Sequence, residues 1–174
     1  MERIEVLITE KEVDERIAEL AKQISKDYEG KCVHLICILK GSAPFMCELA
    51  KRIDCEVTFD FMSVSSYGSS MRSSGHIEIK KDLDESLEGK EVIVIEDIID
   101  TGRTLSELVK ILSQRNPASV RLCTLLDKPD RRVAKDVKVD YVGFVIPDEF
   151  VVGYGLDYDQ KYRNLPYIGV VKMD

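Results

Sequence analysis

The sequence E-V-I-V-I-E-D-I-I-D-T-G-R-T-L, from Glu91 to Leu105, decides how this chain folds. Its segment 92–95 contains only valine and isoleucine, which is typical of a strand buried on both faces of a parallel sheet. The next segment, Glu96–Asp100, holds three carboxylates, and a turn of threonine and glycine follows it. An amphipathic helix is predicted from about Thr104. The stretch therefore predicts a strand, an acidic end, a polar turn and a helix.

The acidic end of this strand needs a physical reason. An ordinary βα unit with a polar loop would explain the strand and the helix, but not like charges crowded beside Ile98 and Ile99. Such charges repel one another unless a cation or a polyhydroxy ligand lies between them. Open α/β sheets bind ligands at the C-terminal ends of their strands. A ligand site is therefore the better interpretation.

The turn after the acids has the groups of a binding site for one phosphate. Backbone N–H groups from Asp100 to Thr104, two threonine hydroxyls and a helix N-terminus can all bind an anion. Glu96 and Asp97 can accept hydrogen bonds from vicinal hydroxyls, so a sugar phosphate with a free diol would satisfy both parts. The turn lacks G-x-x-x-x-G-K-[ST] and G-x-G-x-x-G, which excludes a P-loop nucleotide triphosphatase and a dinucleotide-binding turn.

Length and composition predict one soluble domain that comprises residues 1–174. The chain is 44% hydrophobic and 33% charged, and no apolar run approaches the roughly 20 residues of a membrane span. Its charged N-terminus does not match a signal peptide. The five cysteines contain no C-x-x-C pair, so we expect reduced thiols in a cytoplasmic protein. The formal charge of -7 argues against a nucleic-acid-binding surface.

Strand and helix patterns alternate along the rest of the chain. Thr9 and Glu12 match a capping box, which predicts the start of a first helix near Glu10. Apolar or alternating runs predict further strands at 32–39, 56–64, 76–80, 120–126, 139–146 and 167–171. This alternation predicts an α/β fold with a mainly parallel sheet.

Two other segments could contribute to the ligand site. Lys40 and Gly41 directly follow a buried strand, where they could offer a cation and an open backbone N–H, or could simply form the entry turn of a helix. The segment 63–75 contains seven serines and two glycines. That composition fits a mobile lid over a reactive intermediate nearly as well as a plain hairpin loop.

The sequence V-I-V-I-E-D-I-I-D-T-G-R-T resembles the phosphoribosyl-diphosphate motif of type I phosphoribosyltransferases. Four more segments are similar to the hypoxanthine-guanine phosphoribosyltransferases within that family: Leu39–Gly41, Ser66–Tyr67, Leu126–Lys128 and Ile146–Tyr158. The matches extend from about residue 39 to residue 163 in the order of that family. The resemblance implies a central, mainly parallel twisted sheet flanked by helices, a small hood formed by the terminal segments, and a flexible active-site loop.

The resemblance also implies a reaction. A purine base, hypoxanthine or guanine, would displace pyrophosphate from C1 of phosphoribosyl diphosphate with the help of Mg²⁺. The products would be IMP or GMP, and the enzyme would be a homodimer or a homotetramer. Neither a nucleic acid nor a membrane would be a partner.

On the phosphoribosyl side, the resemblance implies a role for each matched residue. The 5′-phosphate would be held by Asp100, Thr101, Gly102, Arg103 and Thr104. The ribose hydroxyls would be held by Glu96 and Asp97, directly or through a metal ion. Pyrophosphate would contact Lys40, the Gly41 amide and Arg163, whose guanidinium suits bidentate phosphate contact. Metal binding would fall to Glu96, Asp97 and Asp157.

On the purine side, Phe150 would stack on the ring and Lys128 would donate to the 6-oxo group. The Val151 backbone would contact the Watson–Crick edge, and the neighbourhood of Asp157 would contact the 2-amino group of guanine. Asp100 would act as the general base that takes the proton from N7. The loop residues Ser66 and Tyr67 would close over the site to exclude water.

Two alternatives stay open at the level of the sequence. The same reaction could use xanthine, or a single oxopurine, as the main substrate. A regulator of the same fold could instead sense phosphoribosyl diphosphate and bind RNA or DNA. Such a regulator should have a basic surface and could lack the base-binding segment, whereas this chain is acidic and has Lys128, Phe150 and Asp157.

Overall fold

The structure is a computed structural model that describes residues 2–66 and 76–173. Its helices are α1 (Glu10–Asp27), α2 (Ala43–Ala50) and α3 (Arg103–Ser113). Its strands are β1 (Glu2–Ile8), β2 (Cys32–Ile38), β3 (Glu56–Ser66), β4 (Ile77–Lys81), β5 (Glu91–Ile99), β6 (Ser119–Asp127), β7 (Tyr141–Val145), β8 (Val151–Val152) and β9 (Ile168–Met173). A single 3₁₀ turn, Pro129–Arg131, follows β6. Among the described residues, no helix is long and apolar enough to cross a membrane.

Six of the strands form the central sheet, in the order β4-β3-β2-β5-β6-β7. The strands β3, β2, β5, β6 and β7 run parallel to one another, and β4 joins the edge antiparallel to β3. The mainly parallel sheet predicted from the sequence is therefore confirmed. β5 lies in the interior of the sheet between β2 and β6, as its run of buried valine and isoleucine predicts.

Helices cover both faces of this sheet. Ile93 and Ile95 of β5 belong to the core beneath α1 and α2, whereas Val92 and Val94 belong to the core beneath α3. The division follows from the alternation of side chains along a strand. All four side chains are fully buried, and each such burial contributes about 1.5–3 kcal/mol to folding.

The two ends of the chain form a second, smaller sheet with the order β1-β9-β8. β1 pairs antiparallel with β9, and β9 pairs antiparallel with the short strand β8. This sheet is the hood of terminal segments that the resemblance implies. The predicted capping box is also present, because the Glu12 N–H donates to Thr9 Oγ1 at 3.2 Å and the Thr9 N–H donates to Glu12 Oε2 at 2.8 Å.

One prediction about β5 is wrong in a way that matters for the site. The sequence predicts that the strand ends before the acids, whereas β5 continues to Ile99, so Glu96 and Asp97 lie within it. The reason is that β6 continues to pair with β5, with Glu96 opposite Thr124, after β2 has ended at Ile38. The acidic end of β5 therefore extends beyond its other neighbour. α3 also begins one residue earlier than predicted, at Arg103.

Candidate active site

The predicted site residues meet at the C-terminal edge of the central sheet. Because β2, β5 and β6 are parallel neighbours, the segments that follow them lie side by side. These segments hold Lys40 and Gly41, the acids of β5 with the turn after it, and Lys128. The fourth contributor is the region between Phe150 and Arg163, which leads into and out of the hood.

The turn after β5 forms the floor of a pocket of about 270 Å³. Gly102 has a φ of 76°, in the left-handed region that favours glycine, and its carbonyl accepts from the Ser106 N–H at 2.8 Å. Thr104 Oγ1 lies 3.0 Å from Ser66 Oγ, so the last residue of β3 contacts a residue that lines this pocket. The lining residues are Glu96, Ile98, Ile99, Asp100, Thr101, Gly102, Arg103, Thr104 and Leu105. Tyr67, the other predicted lid residue, lies outside the described residues.

A segment that the sequence interpretation missed holds this turn in place. Arg132 donates from Nε to the Asp100 carbonyl at 3.2 Å and forms an ion pair with the buried Asp127. The backbone N–H groups of Val133 and Ala134 both donate to the Thr101 carbonyl, at 2.9 Å and 3.0 Å. Only the position of this segment, just past a strand end, could have indicated such a role.

The adjacent acids of β5 lie in a partly buried environment that disfavours negative charge. Burial, and then the charge of Asp97, raise the pKa of Glu96 well above its usual range. Burial raises the pKa of Asp97 to about 6, although the Ile98 N–H donates to its Oδ1 at 2.7 Å and the Arg163 charge opposes the increase. Two neighbouring carboxylates of this kind favour a cation or a set of hydroxyls between them.

A cluster of cations and acids lies next to this pair. Arg163 donates to the Gly155 carbonyl at 2.7 Å and forms a 3.0 Å ion pair with Asp157. Gln160 joins the cluster, since its Oε1 accepts from Arg163 at 3.2 Å and from Lys40 Nζ at 3.4 Å. The structure thus brings together three predicted residues from two distant segments. Gln160 was not predicted, because nothing in its sequence position indicates that it touches Lys40.

The Lys128 side chain lies between two carboxylates, one of which, Asp100, lines the pocket. Its residue is only 7% exposed, and its Nζ is 3.8 Å from Asp100 Oδ1 and 3.7 Å from Asp148 Oδ1. Asp100 Oδ1 is itself buried and has no hydrogen-bond partner within the described part of the chain. Asp148 is a further residue that sequence interpretation missed.

The segment after Asp148 supplies the apolar side of this region. Phe150 is 54% exposed, and its ring packs edge to face against Tyr158 with 5.6 Å between centroids. Val151 is buried in β8, where it pairs with Val170 of the hood. A half-exposed aromatic ring and a nearly buried ammonium group therefore lie at the same edge, and these are suitable contacts for a flat heterocycle with an oxo group.

The donor set fits Mg²⁺ that is held jointly by protein and substrate. Within residues 2–66 and 76–173, no cluster of three or more histidine, cysteine, aspartate or glutamate side chains could hold a metal ion alone. Mg²⁺ is usually bound by one or two carboxylates together with substrate phosphates and water. Glu96 and Asp97 supply such a pair, and Asp157 lies close enough to influence the pKa of Asp97.

Comparison with known proteins places the chain among enzymes of one family. Residues 8–159 match the model of the phosphoribosyl transferase domain family. The hypoxanthine-guanine phosphoribosyltransferase of Bacillus subtilis (strain 168) is 53% identical over 167 residues, which is 96% of this chain and 92% of that protein.

Two further relatives extend the comparison. The bifunctional protein TilS/HprT of Listeria monocytogenes serotype 4b is 55% identical over 96% of this chain, but the match spans only 26% of that longer protein. The chain therefore spans about a quarter of the length of this bifunctional relative. A crystal structure of a hypoxanthine phosphoribosyltransferase from Staphylococcus aureus superimposes with a TM-score of 0.93, at 53% identity, and the match covers 97% of this chain and 91% of that one. The fold predicted from the resemblance is confirmed, and the chain belongs to the phosphoribosyltransferase family, in its hypoxanthine-guanine branch.

Proposed function

We propose that this chain transfers the 5-phosphoribosyl group of phosphoribosyl diphosphate to hypoxanthine or guanine, which yields IMP or GMP and pyrophosphate. Such a reaction serves purine salvage. The observation that carries the proposal is the convergence, at one sheet edge, of an anion-binding turn, a carboxylate pair, a cation cluster and the Lys128 ammonium group. The names of the relatives support the same reaction.

The turn after β5 would hold the 5′-phosphate. Its backbone N–H groups, the hydroxyls of Thr101 and Thr104 and the N-terminus of α3 are all donors or positive dipole ends. Arg103 adds a positive charge at the first helical position. Glu96 and Asp97, which lie within β5 just before this turn, would accept hydrogen bonds from the ribose hydroxyls.

The pyrophosphate leaving group would bind to Lys40, the Gly41 amide and Arg163. Binding its oxygens there lowers the cost of the negative charge that develops as the bond to C1 breaks. The Glu96–Asp97 pair and Asp157 would hold Mg²⁺ at this site. When bound, Mg²⁺ would neutralise part of the charge on the pyrophosphate oxygens.

The purine would lie against Phe150 with its 6-oxo group toward Lys128. An ammonium donor favours a 6-oxo group over the 6-amino group of adenine, which is itself a donor. The Val151 backbone and the neighbourhood of Asp157 would contact the rest of the base edge. Asp100 would take the proton from N7, and its buried Oδ1, which has no hydrogen-bond partner within the described residues, is an acceptor consistent with that role.

Several wider features belong to the same proposal. Ser66, which is 3.0 Å from Thr104 Oγ1, and Tyr67 would take part in closing the site over the reaction. The segment 1–174 would act as one catalytic domain, in a homodimer or a homotetramer. All five cysteines are free thiols, which supports a reducing, cytoplasmic location.

The experiment that tests the proposal measures pyrophosphate release from phosphoribosyl diphosphate with hypoxanthine, guanine, xanthine and adenine side by side. We expect turnover with hypoxanthine or guanine, dependence on Mg²⁺, and at most weak turnover with adenine. A preference for xanthine would replace the proposed substrate within the same reaction. Absence of turnover with every oxopurine would contradict the proposal and favour a sensor of phosphoribosyl diphosphate.

A further inference from the structure

We infer that Asp148 is a positioning residue of the purine site, which holds the Lys128 ammonium group away from Asp100 and ties it to the segment that carries Phe150. The inference rests on the proposed function, because it assigns Lys128 to the purine and Asp100 to proton transfer. It goes further in naming the residue that keeps both groups available.

The first observation is the symmetry of the ion pairs around Lys128. Its Nζ is 3.7 Å from Asp148 Oδ1 and 3.8 Å from Asp100 Oδ1, so both carboxylates attract it about equally. Both distances exceed the range of a good N–H···O bond, so the N–H groups are not committed to either acid. The ammonium group is thus balanced between two charges and can donate to a third group, the purine oxygen.

The second observation concerns what would happen without Asp148. Asp100 Oδ1 is buried and has no hydrogen-bond partner within the described residues. Because an unsatisfied buried acceptor is costly, a hydrogen bond from a nearby donor to this atom would be favourable. A nearly buried ammonium group that lost one of its two acids would move toward the other. Lys128 would then donate to Asp100, which would remove the purine's donor and the proposed base at the same time.

The third observation is that Asp148 connects two parts of the site. It pairs with Arg131 of the 3₁₀ turn at 3.4 Å as well as with Lys128. It also lies two residues before Phe150, whose ring is half exposed. The side chain of Asp148 is half exposed, so its ion pair with Arg131 should contribute little to the position of either side chain. Lys128 is nearly buried, so solvent screens its attraction to Asp148 only weakly. Asp148 should therefore act mainly through Lys128.

These contacts predict which kinetic constants depend on Asp148. The 5′-phosphate and pyrophosphate contacts lie on other segments, so the KM for phosphoribosyl diphosphate should not change. The KM for hypoxanthine should rise and kcat should fall, because both the purine donor and the base lose their geometry. Selectivity for hypoxanthine over adenine should fall as well.

The test compares Asp148→Asn with a conservative variant and an adjacent control. In Asp148→Asn we expect kcat/KM for hypoxanthine to fall roughly tenfold, the effect of losing the charge-assisted hydrogen bond from Lys128 to the purine, while the KM for phosphoribosyl diphosphate stays within about twofold. Asp148→Glu should recover most of the loss, because it restores the charge. Glu149→Gln is the matched control, since Glu149 is the next residue in the chain but pairs with Lys172 of the hood at 3.6 Å. It should behave as wild type.

Three outcomes would overturn the inference. An Asp148→Asn enzyme with unchanged hypoxanthine kinetics would show that Lys128 needs no second acid. An equal rise in both KM values would indicate general damage to the fold. An equal loss in Arg131→Gln, which keeps the pair with Lys128, would assign the effect to Arg131 instead.

A second measurement separates this inference from the proposed function. The affinity for IMP, measured by calorimetry, should fall several-fold in Asp148→Asn, whereas the affinity for pyrophosphate should not change. If the wild-type chain turns over no oxopurine, the proposed function fails. If the wild type turns over hypoxanthine and Asp148→Asn matches it in rate and in IMP affinity, only the role of Asp148 fails.

Discussion

The backbones of Gly41 and Gly155 are in direct contact: a Cβ on Gly155 would lie 1.9 Å from the Gly41 carbonyl oxygen. Gly155 also has a φ of 100°, a region that side chains rarely adopt. On the other side, a Cβ on Gly41 would lie 1.8 Å from Asp97 Oδ2. The proposed pyrophosphate side therefore depends on three chain segments that approach one another at positions without side chains.

Gly155→Ala should consequently destabilise the protein and disturb the Lys40–Arg163 cluster. The new methyl group would meet backbone rather than a flexible side chain, so we expect a loss of at least about 2 kcal/mol in the free energy of unfolding by urea. The KM for phosphoribosyl diphosphate should rise. Gly30→Ala is the control, because Gly30 has a φ of 75° with nothing within 4 Å of a new Cβ. Gly30→Ala should lose only the free energy of placing a side chain in the left-handed region, about 1–2 kcal/mol. Equal losses of stability in the two variants would contradict the steric argument for Gly155.

The comparison of sequence with structure shows what local patterns can predict. The run 92–95 identifies a central strand because it is apolar at every position, as a strand buried on both faces requires, and consists only of β-branched residues, which favour strands over helices. The carboxylates after it identify the ligand edge because like charges are costly without a partner. The point at which β5 ends could not be predicted, because it depends on how far β6 continues to pair with it.

The missed residues share one property, which is that each acts through a contact between distant segments. Gln160 contacts Lys40, Asp148 contacts Lys128, and Arg132 contacts the Asp100 carbonyl. No spacing within the chain encodes these contacts, since they arise only when strand ends are placed side by side. The residues that could be predicted are those with a chemical task of their own, whereas those that hold others in place became visible only in the structure.

Arg132 should prove essential for the affinity for phosphoribosyl diphosphate, although it is not expected to touch it. Arg132→Met removes the ion pair with buried Asp127 and the hydrogen bond to the Asp100 carbonyl. Loss of one partner of a buried pair costs about 3–5 kcal/mol, and the unsupported turn should raise the KM for phosphoribosyl diphosphate.

The double variant Asp127→Leu/Arg132→Met separates stability from positioning. It leaves no unpaired charge, so the free energy of unfolding should recover in large part. The KM for phosphoribosyl diphosphate should stay high, because the Asp100 carbonyl still lacks its donor. Recovery of both quantities together would show that Arg132 has only a structural role.

Asp100→Asn should lower kcat with little change in the KM for phosphoribosyl diphosphate. Asparagine keeps the shape of the side chain and the backbone of the phosphate-binding turn, but it cannot accept a proton at neutral pH. A loss of roughly 10²–10⁴-fold is the usual contribution of a general base. Asp130→Asn serves as a control, since Asp130 is an exposed acid on the nearby 3₁₀ turn. Near-normal turnover of Asp100→Asn in steady-state assays would eliminate it as the base.

Lys128→Ala should mainly weaken the use of 6-oxopurines. Without the ammonium donor, kcat/KM for hypoxanthine should fall by about 10–100-fold, the range of a hydrogen bond from a charged group. Adenine, which gains nothing from that donor, should be affected less, so the ratio of the two rates should shrink. Lys128→Met preserves the buried aliphatic volume and separates packing from charge. An unchanged hypoxanthine-to-adenine ratio in both variants would contradict the assigned role.

His34 should make the stability of the protein depend on pH below about pH 6.5, the usual pKa of a histidine side chain. It is 2% exposed within β2, its Nδ1 is 2.7 Å from Thr58 Oγ1, and burial, followed by the Lys90 charge, lowers its pKa below the usual 6.5. The unfolded chain therefore takes up a proton on His34 at a higher pH than the folded chain does. The stability from the neutral imidazole is fully present above about pH 6.5 and is lost as the pH falls toward the folded pKa.

The buried acids of the active site act in the opposite direction, since the raised pKa of Asp97, about 6, favours the folded state as the pH falls. A comparison of variants cancels that contribution. His34→Gln should lose the pH dependence that His34 contributes. Below pH 6.5 the free energy of unfolding of the wild type should therefore fall relative to that of the variant, by at most about 1.4 kcal/mol per pH unit. His76→Gln changes the other, exposed histidine and should keep the wild-type slope. Parallel pH profiles for all three proteins would mean that His34 is protonated equally in the folded and unfolded chains.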